Sequence, residues 1–300
     1  MGGRRDAGTP HAASIGDFHC HSTASDGRLA PAEVVRLAAA RGVRVLALTD
    51  HDTTAGLAEA GAEARRATGF RLIPGVELSC DVPGNELHLL GLFIDPVDGA
   101  LQARLERMRA ERVERARRIT AALEREGAPV HWARVQAIAG EASVGRPHVA
   151  RALVEAGHVS TIEQAFDRFL ARGQPAYVER ERLDPAEAIA LVRGARGLAV
   201  FAHPSFSDDH EAHAETMARL GLAGLEVYYR DYDTAKVAGL RALAERFGLV
   251  PTGGSDFHSF DRDGERAPGE IPLPDAAVER ILQVAREAGC RVPEPAGGAS

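Results

Sequence analysis

The sequence predicts an α/β chain folded as a distorted (β/α)7 barrel with an inserted helical cap, and three features carry that expectation. Short apolar runs alternate with longer helical patterns, which is the signature of strand–helix units on a largely parallel sheet. About seven of the apolar runs have strand length and composition. A single stretch, residues 101–171, breaks the alternation with helical pattern alone.

In chain order the expected strands are Ile15 to Phe18, Val43 to Thr49, Phe70 to Ser79, Leu87 to Ile94, Leu198 to Ala202, Gly224 to Tyr228 and Gly248 to Thr252. Helices are expected at Pro31 to Ala40, Ala55 to Ala67, Pro185 to Arg193, Glu211 to Leu220, Thr234 to Phe247 and Asp275 to Ala288. The first of these opens with a proline where the missing N–H costs nothing. The first helix of the insertion carries Leu101, Leu105, Met108, Ala116, Ile119 and Leu123 on one stripe, with Glu and Arg on the other faces, so that stripe packs onto something. Residues 14–100 and 172–292 then form a discontinuous barrel, residues 101–171 the cap, and residues 1–13 and 293–300 loose ends.

Composition narrows the function classes. With 45% hydrophobic residues in 300, the chain can fill a sizeable core, and disorder as the main state is excluded. No stretch approaches ~18 consecutive apolar residues, so neither a membrane span nor a secretory leader is expected. A formal charge of −7, from 36 basic and 43 acidic residues, argues against coating nucleic acid by bulk electrostatics. An anionic ligand has to be met locally. Three cysteines, Cys20, Cys80 and Cys290, without CxxC spacing fit a reducing compartment, with the cytoplasm as the expectation. Lys236 is the only lysine in an alanine-rich chain, so an individual arginine carries less information here than elsewhere.

The twelve histidines are placed more tellingly. In Asp17-Phe18-His19-Cys20-His21, two histidines at i and i+2 on a strand face one side and can converge on one metal ion. Cys20 turns to the opposite face and reads as core. Leu46-Ala47-Leu48 runs directly into Thr49-Asp50-His51-Asp52, and burying those ionisable groups without partners is expensive. The third strand carries Glu77 near its end, and the fourth holds His88 in an apolar run, where a core histidine bonded to backbone is the competing reading. Val200-Phe201-Ala202 ends in His203-Pro204, and the last strand ends in Asp256-Phe257-His258. In a parallel barrel, residues at the C-terminal ends of the strands share one rim, where catalytic groups assemble. Strand after strand delivering His, Asp or Glu to that rim points to metal binding.

These segments together resemble the PHP family, the polymerase and histidinol phosphatase domain. The resemblance runs through His19-x-His21, Asp26, Thr49-Asp50-His51-Asp52, Glu77, His88, His203-Pro204 and Asp256-x-His258, in family order and over essentially the whole chain. It implies a distorted seven-stranded barrel with two or three divalent ions, manganese foremost, with zinc or iron also suited to the mixed nitrogen and oxygen ligands. It further implies His19, His21, Glu77 and Asp256 around one ion, Glu77 bridging to a second held by His88 and His203, and Asp26, His51 and His258 around a third. Three-ion members often carry histidine where Asp26 stands. Asp50 and Asp52 are expected to orient imidazoles from behind. Two cations sharing a carboxylate can generate hydroxide at neutral pH and stabilise the attacking and departing oxygens of an in-line displacement.

Within the family, the chain is similar to the branch acting on nucleoside 3′,5′-bisphosphates and on 5′ ends of RNA. That closer likeness rests on Asp26-Gly27, the helical insertion after the fourth strand, Gly145-Arg146-Pro147-His148 and Gly173-Gln174-Pro175-Ala176-Tyr177-Val178. Glu179-Arg180 has no assigned role. Arg112 and Arg115 lie three apart on one helix face, and with Arg146 and His148 they can grip a terminal phosphate over the metal rim. The competing reading is plain: eight arginines and five glutamates fall between Leu101 and Glu126, and most of such a run is a solvated helix face. His148 is alternatively the proton donor to the leaving oxygen. His11, His131, His158, His210 and His213 fall outside the motifs.

The expected activity is therefore a metal-dependent phosphoesterase removing the 3′-phosphate of nucleoside 3′,5′-bisphosphates and trimming 5′-phosphorylated RNA. The alternatives are a small-metabolite phosphatase, such as one for histidinol phosphate, and a non-catalytic regulatory module. Neither a membrane nor a stable protein partner is expected.

Overall fold

The computed structural model of the chain describes residues 14–82, 85–179, 183–230, 232–259 and 265–297. His11 and Arg180 lie outside them. Among the described residues are seven strands: β1 (Gly16–Asp17), β2 (Val45–Leu48), β3 (Arg71–Val82), β4 (Asn85–Leu92), β5 (Leu198–Phe201), β6 (Gly224–Tyr229) and β7 (Val250–Gly254). They stand in one sheet in sequence order, each on an apolar run expected to be a strand. The sheet curls until its ends nearly meet. Phe18 N–H donates to the Gly253 carbonyl at 3.1 Å and Asp256 N–H to that of His19 at 2.8 Å. The seam depends on Gly254, because a Cβ there would fall on the backbone of His19.

The sheet is less parallel than expected. β1, β2 and β3 run parallel, as do β5, β6 and β7, but β4 is antiparallel to both β3 and β5. Only Pro83 and Gly84 separate β3 from β4 in sequence, and a parallel crossover needs a dozen or more residues. β3 also runs on to Val82, so Glu77 sits mid-strand, where the sequence suggested a strand end.

The ten α-helices among the described residues are α1 (Pro31–Ala40), α2 (Leu57–Ala64), α3 (Gly99–Arg125), α4 (Trp132–Ala139), α5 (Arg146–Glu155), α6 (Ile162–Ala165), α7 (Pro185–Gly194), α8 (His210–Arg219), α9 (Thr234–Phe247) and α10 (Asp275–Glu287). Local chemistry sets their ends. Asp98 accepts the Leu101 N–H at 2.8 Å to start α3, and Asp233 accepts the Lys236 N–H at 2.8 Å to start α9, each satisfying an orphan donor of a first turn. α9 stops at Gly248, whose φ of 67° is left-handed.

Strand alternation divides the core. Val45 and Ala47 join a cluster with Ile73, Leu90, Leu92 and the α10 side chains Val278 and Ile281. Leu46 and Leu48 point the other way, under α1 and α2, and Cys20 joins them there. The α3 stripe is buried as expected, but it serves two cores. Leu101, Leu105 and Met108 pack with the barrel strands, whereas Ala116, Ile119 and Leu123 pack with α4, α5 and the segment that follows. One long helix thereby anchors the cap. The C-terminal tail is not loose through residue 297: Gly69 N–H donates to Ala296 O at 2.7 Å, and Ala296 N–H to Phe70 O at 2.8 Å. No helix among the described residues is long and apolar enough to cross a membrane.

Candidate metal centre

Glu77 is the hub of the rim. Its carboxylate is 1% exposed and is met by five imidazoles: His19 Nε2 at 3.2 Å, His21 Nε2 at 3.1 Å, His51 Nδ1 at 3.2 Å, His88 Nδ1 at 2.7 Å and His203 Nε2 at 3.2 Å. His19 and His21 lie in the extended segment just after β1, two residues apart and both buried. His88 arrives because β4 is reversed: it pairs with Ser79, two residues beyond Glu77 on the same face of β3. A parallel β4 would have carried that histidine away from the rim.

Three side chains at the rim hold left-handed backbone without being glycine: Asp52 at φ 51°, His203 at 29° and Asp256 at 51°. Such conformations cost energy and persist only where neighbours fix them. Asp52 N–H donates to Glu77 O at 3.0 Å, and Asp256 N–H to His19 O at 2.8 Å. His203 N–H donates to Glu226 Oε2 at 2.6 Å.

Ligand atoms fall into three overlapping groups, each within 4.8 Å: His19, His21, Glu77 and Asp256; His21, Asp26, His51 and His258; and His51, Glu77 and His88. The first is the set the resemblance implies. The other two differ from it in detail. His21 turns Nδ1 toward Asp26, at 3.9 Å, and so walls two groups at once. His51 joins His88 beside Glu77, meeting Oε2 while His88 and His203 share Oε1.

The donor set fits divalent ions on an observation independent of ligand count. His19 Nε2, both ring nitrogens of His21, His51 Nδ1, His88 Nδ1 and Glu77 Oε2 are buried without a hydrogen-bond partner. Leaving so many polar atoms buried and unmatched costs roughly 1–3 kcal/mol each, unless a cation takes up the lone pairs they turn on one another. The charges agree. Burial opposes ionisation of Glu77, but His51, His19 and His88 outweigh it and hold the carboxyl well below its usual range. Asp256 and Asp26 are lowered likewise, Asp256 chiefly by His19 and Asp26 chiefly by His258. Burial alone would lower His21 and His88, yet Asp256 and Glu77 raise His21 to about 10, and Glu77 raises His88 to about 9. His51 moves the other way, to about 3, through burial.

Asp50 and Asp52, expected to orient imidazoles, bond to serines, to a backbone N–H and to an arginine. Asp50 accepts from Ser22 N–H at 2.8 Å, Ser22 Oγ at 2.7 Å and Ser25 Oγ at 2.6 Å, fixing the turn that presents Asp26. Asp52 takes Arg112 Nε at 2.5 Å and Ser79 N–H at 3.1 Å. The carboxylate behind an imidazole is instead Glu226, 3.1 Å from His19 Nδ1. Glu226 stands in the apolar strand Gly224-Leu225-Glu226-Val227, the same signal that drew attention to His88, and sequence reading passed over it. Tyr229, whose O–H donates to Asp256 at 2.6 Å, was missed because phenols carry no comparable signal.

The arginines expected to grip substrate are placed less simply. Arg112 also donates to Ser79 Oγ at 2.9 Å, and Arg115 donates to Val178 O at 2.7 Å. Arg146 pairs with Glu86 at 2.9 Å and lies over the Phe166 and Tyr177 rings. His148 accepts the Gly145 N–H at 3.0 Å, and burial lowers its pKa. A cleft of about 410 Å³ opens over the ligands. Its metal side is formed by Asp26, His51, Glu77, His88 and Asp256, its cap side by Pro147, Ile162 and Phe166, and its far wall by Phe206, Tyr229 and Arg230. His131, His158, His210 and His213 lie outside it.

Comparison with known proteins places this geometry in context. The PHP domain family model matches residues 17–179. The 3′,5′-nucleoside bisphosphate phosphatase of Chromobacterium violaceum is 37% identical over 263 residues, 86% of this chain and 92% of that protein. A 5′-3′ exoribonuclease of Haemophilus influenzae is 45% identical over 249 residues, 81% of this chain and 89% of its own length. The solved structure of an amidohydrolase from Chromobacterium violaceum, with bound sulfate and no metal, superposes with a TM-score of 0.84 at 35% identity, covering 95% of this chain and 99% of that one.

Proposed function

The chain belongs to the PHP domain family and is a metal-dependent phosphoesterase, and from that premise we propose that it removes the 3′-phosphate of nucleoside 3′,5′-bisphosphates and trims 5′-phosphorylated RNA. The observation that carries the reading is Glu77 among five imidazoles at the floor of a cleft. Likeness to the Chromobacterium phosphatase and the Haemophilus exoribonuclease supports a nucleotide over a free metabolite.

His19, His21, Glu77 and Asp256 would hold one ion, Glu77 with His88 and His203 a second, and Asp26, His51 and His258 a third, with His21 and His51 each bordering two of these groups. Manganese is the proposed metal. Such ions, when bound, polarise phosphoryl oxygens and acidify water. The chain itself supplies position. Glu226 fixes the His19 ring so that Nε2 faces inward, and Tyr229 donates to one Asp256 oxygen, leaving the other inward. The second phosphate of the substrate is met from the cap, by Arg146 exchanging its Glu86 partner and by His148 beside it. Arg112 stands behind them, holding cap to barrel through Asp52 and Ser79, and Arg115 ties α3 to the returning segment at Val178. A substrate bound at both ends reacts at one defined bond.

The test is hydrolysis by manganese-loaded protein of adenosine 3′,5′-bisphosphate, adenosine 3′-monophosphate, short 5′-phosphorylated RNAs and histidinol phosphate. The bisphosphate and the phosphorylated RNAs are expected to turn over fastest. Equal rates on mono- and bisphosphates would remove the two-point grip, and preference for histidinol phosphate would replace the reading altogether.

A further inference from the structure

Resting on the nucleotide reading, we propose that Phe206 is the stacking platform for the nucleobase, with Phe166 facing it from the cap, so that the enzyme demands a base but does not read which one.

Phe206 is 59% exposed, whereas the other large exposed apolar side chains among the described residues, Val97 and Leu220, lie away from the cleft. An aromatic ring kept in water beside a ligand site is a face waiting for a partner. Its position is fixed by the metal centre itself. Phe206 ends the short 3₁₀ turn Pro204–Phe206, which follows His203 directly. Its ring lies 5.6 Å from that of His203 and 5.7 Å from that of Tyr229, edge to face. Tyr229 in turn bonds Asp256. Two side chains at the metal rim thus flank the ring, which lines the cleft and remains largely exposed.

The cap contributes further lining. After α6 the chain widens into a π-helical turn, Phe166–Leu170, a rare form that recurs at functional sites. It presents Phe166 to the cleft beside Ile162 and Pro147, and the Arg146 guanidinium lies 5.7 Å from the ring centre. With the reacting phosphate on the ligand floor and the distal phosphate toward Arg146, the remaining part of a nucleotide is its base, and Phe206 and Phe166 offer it aromatic surface in a lining that also holds Glu163, Asp167 and Arg230. Stacking accepts every base because each has a π-face.

Equilibrium binding separates this proposal from the assignment of activity. Calorimetric titration of the full chain with adenosine 5′-monophosphate, cytidine 5′-monophosphate and ribose 5-phosphate should show both nucleotides binding roughly 10-fold more tightly than the sugar phosphate. Phe206→Ala should erase most of that difference and Phe206→Trp should restore it, with Phe166→Ala giving a smaller loss. Nucleotides and ribose 5-phosphate binding alike to the natural chain, or Phe206→Ala weakening all three equally, would overturn the platform. Base-dependent binding by a protein inert toward bisphosphates would leave the platform standing and remove the proposed reaction.

Discussion

Glu226 Oε1 lies 3.1 Å from His19 Nδ1, with both side chains fully buried. In the neutral ring that can bind metal, that contact assigns the proton to Nδ1, which donates outward to the carboxylate and leaves the Nε2 lone pair directed at Glu77 and Asp256. The other Glu226 oxygen accepts the His203 N–H, so one carboxylate positions two residues from separate strands. Substituting Glu226→Gln, which keeps the shape but can present its amide to His19, is expected to weaken metal binding about 10- to 100-fold. Titration of the metal-free protein with manganese, followed by calorimetry, measures it. Unchanged affinity would reduce Glu226 to a packing residue.

Metal uptake should expel protons. Without ions, His21 titrates at about 10 and His88 at about 9, so both are charged at neutral pH, while a ligand nitrogen must be neutral. Each raised value also means stability that is present below the free histidine pKa and lost as pH rises through 9 to 10. Metal affinity is therefore expected to climb from pH 6 to about pH 9, and the metal-free protein to lose stability over the alkaline side where the loaded protein holds. Calorimetry in buffers of differing ionisation enthalpy counts the protons. A count of zero at pH 7 is incompatible with these charges.

How much of this was legible in the sequence follows from what each feature costs to hide. His19, His51, Glu77, His88, His203 and Asp256 were visible because ionisable residues in or at the ends of apolar runs demand an explanation. Strand and helix positions were visible through periodicity, and the start of α1 through its proline. Reversal of β4 was written only in Pro83-Gly84, too short a link for a crossover, and a uniform strand–helix reading passed over it. The roles of Asp50 and Asp52 were not readable, because a buried carboxylate announces a partner without saying whether it is an imidazole, a serine or an arginine. Glu226 carried the same signal as His88 and was passed over for want of a motif around it.

Closure of the barrel rests on an absent side chain. A Cβ on Gly254 would meet the backbone and Cβ of His19, and neither can move without opening the seam between β1 and β7. Gly254→Ala is expected to cost about 1–3 kcal/mol by overpacking and to weaken manganese binding as well, since His19 shifts with the seam. Thermal melts of metal-free protein and metal titration of the same variant check both parts. Loss of stability with intact metal binding would show that the strain is relieved elsewhere.

Arg112 decides between two readings of the α3 arginines. Its Nε lies 2.5 Å from Asp52 Oδ2, a carboxylate 1% exposed on a left-handed residue of the rim, and its other donors reach Ser79 and Val144. As a tether, it holds the cap over the ligands by pairing a buried charge, and removing one partner of such a pair costs roughly 3–5 kcal/mol. The low end is expected, because the guanidinium keeps some contact with solvent. Arg112→Lys should recover less than half of that, since a point charge cannot replace the planar fork across Asp52 and Ser79. As a phosphate grip, Arg112 would instead set KM, and Arg112→Ala would raise KM for the bisphosphate while leaving denaturation unchanged. Urea unfolding and steady-state kinetics on the same two variants separate these outcomes, and a stable Arg112→Ala protein with raised KM would return Arg112 to the substrate.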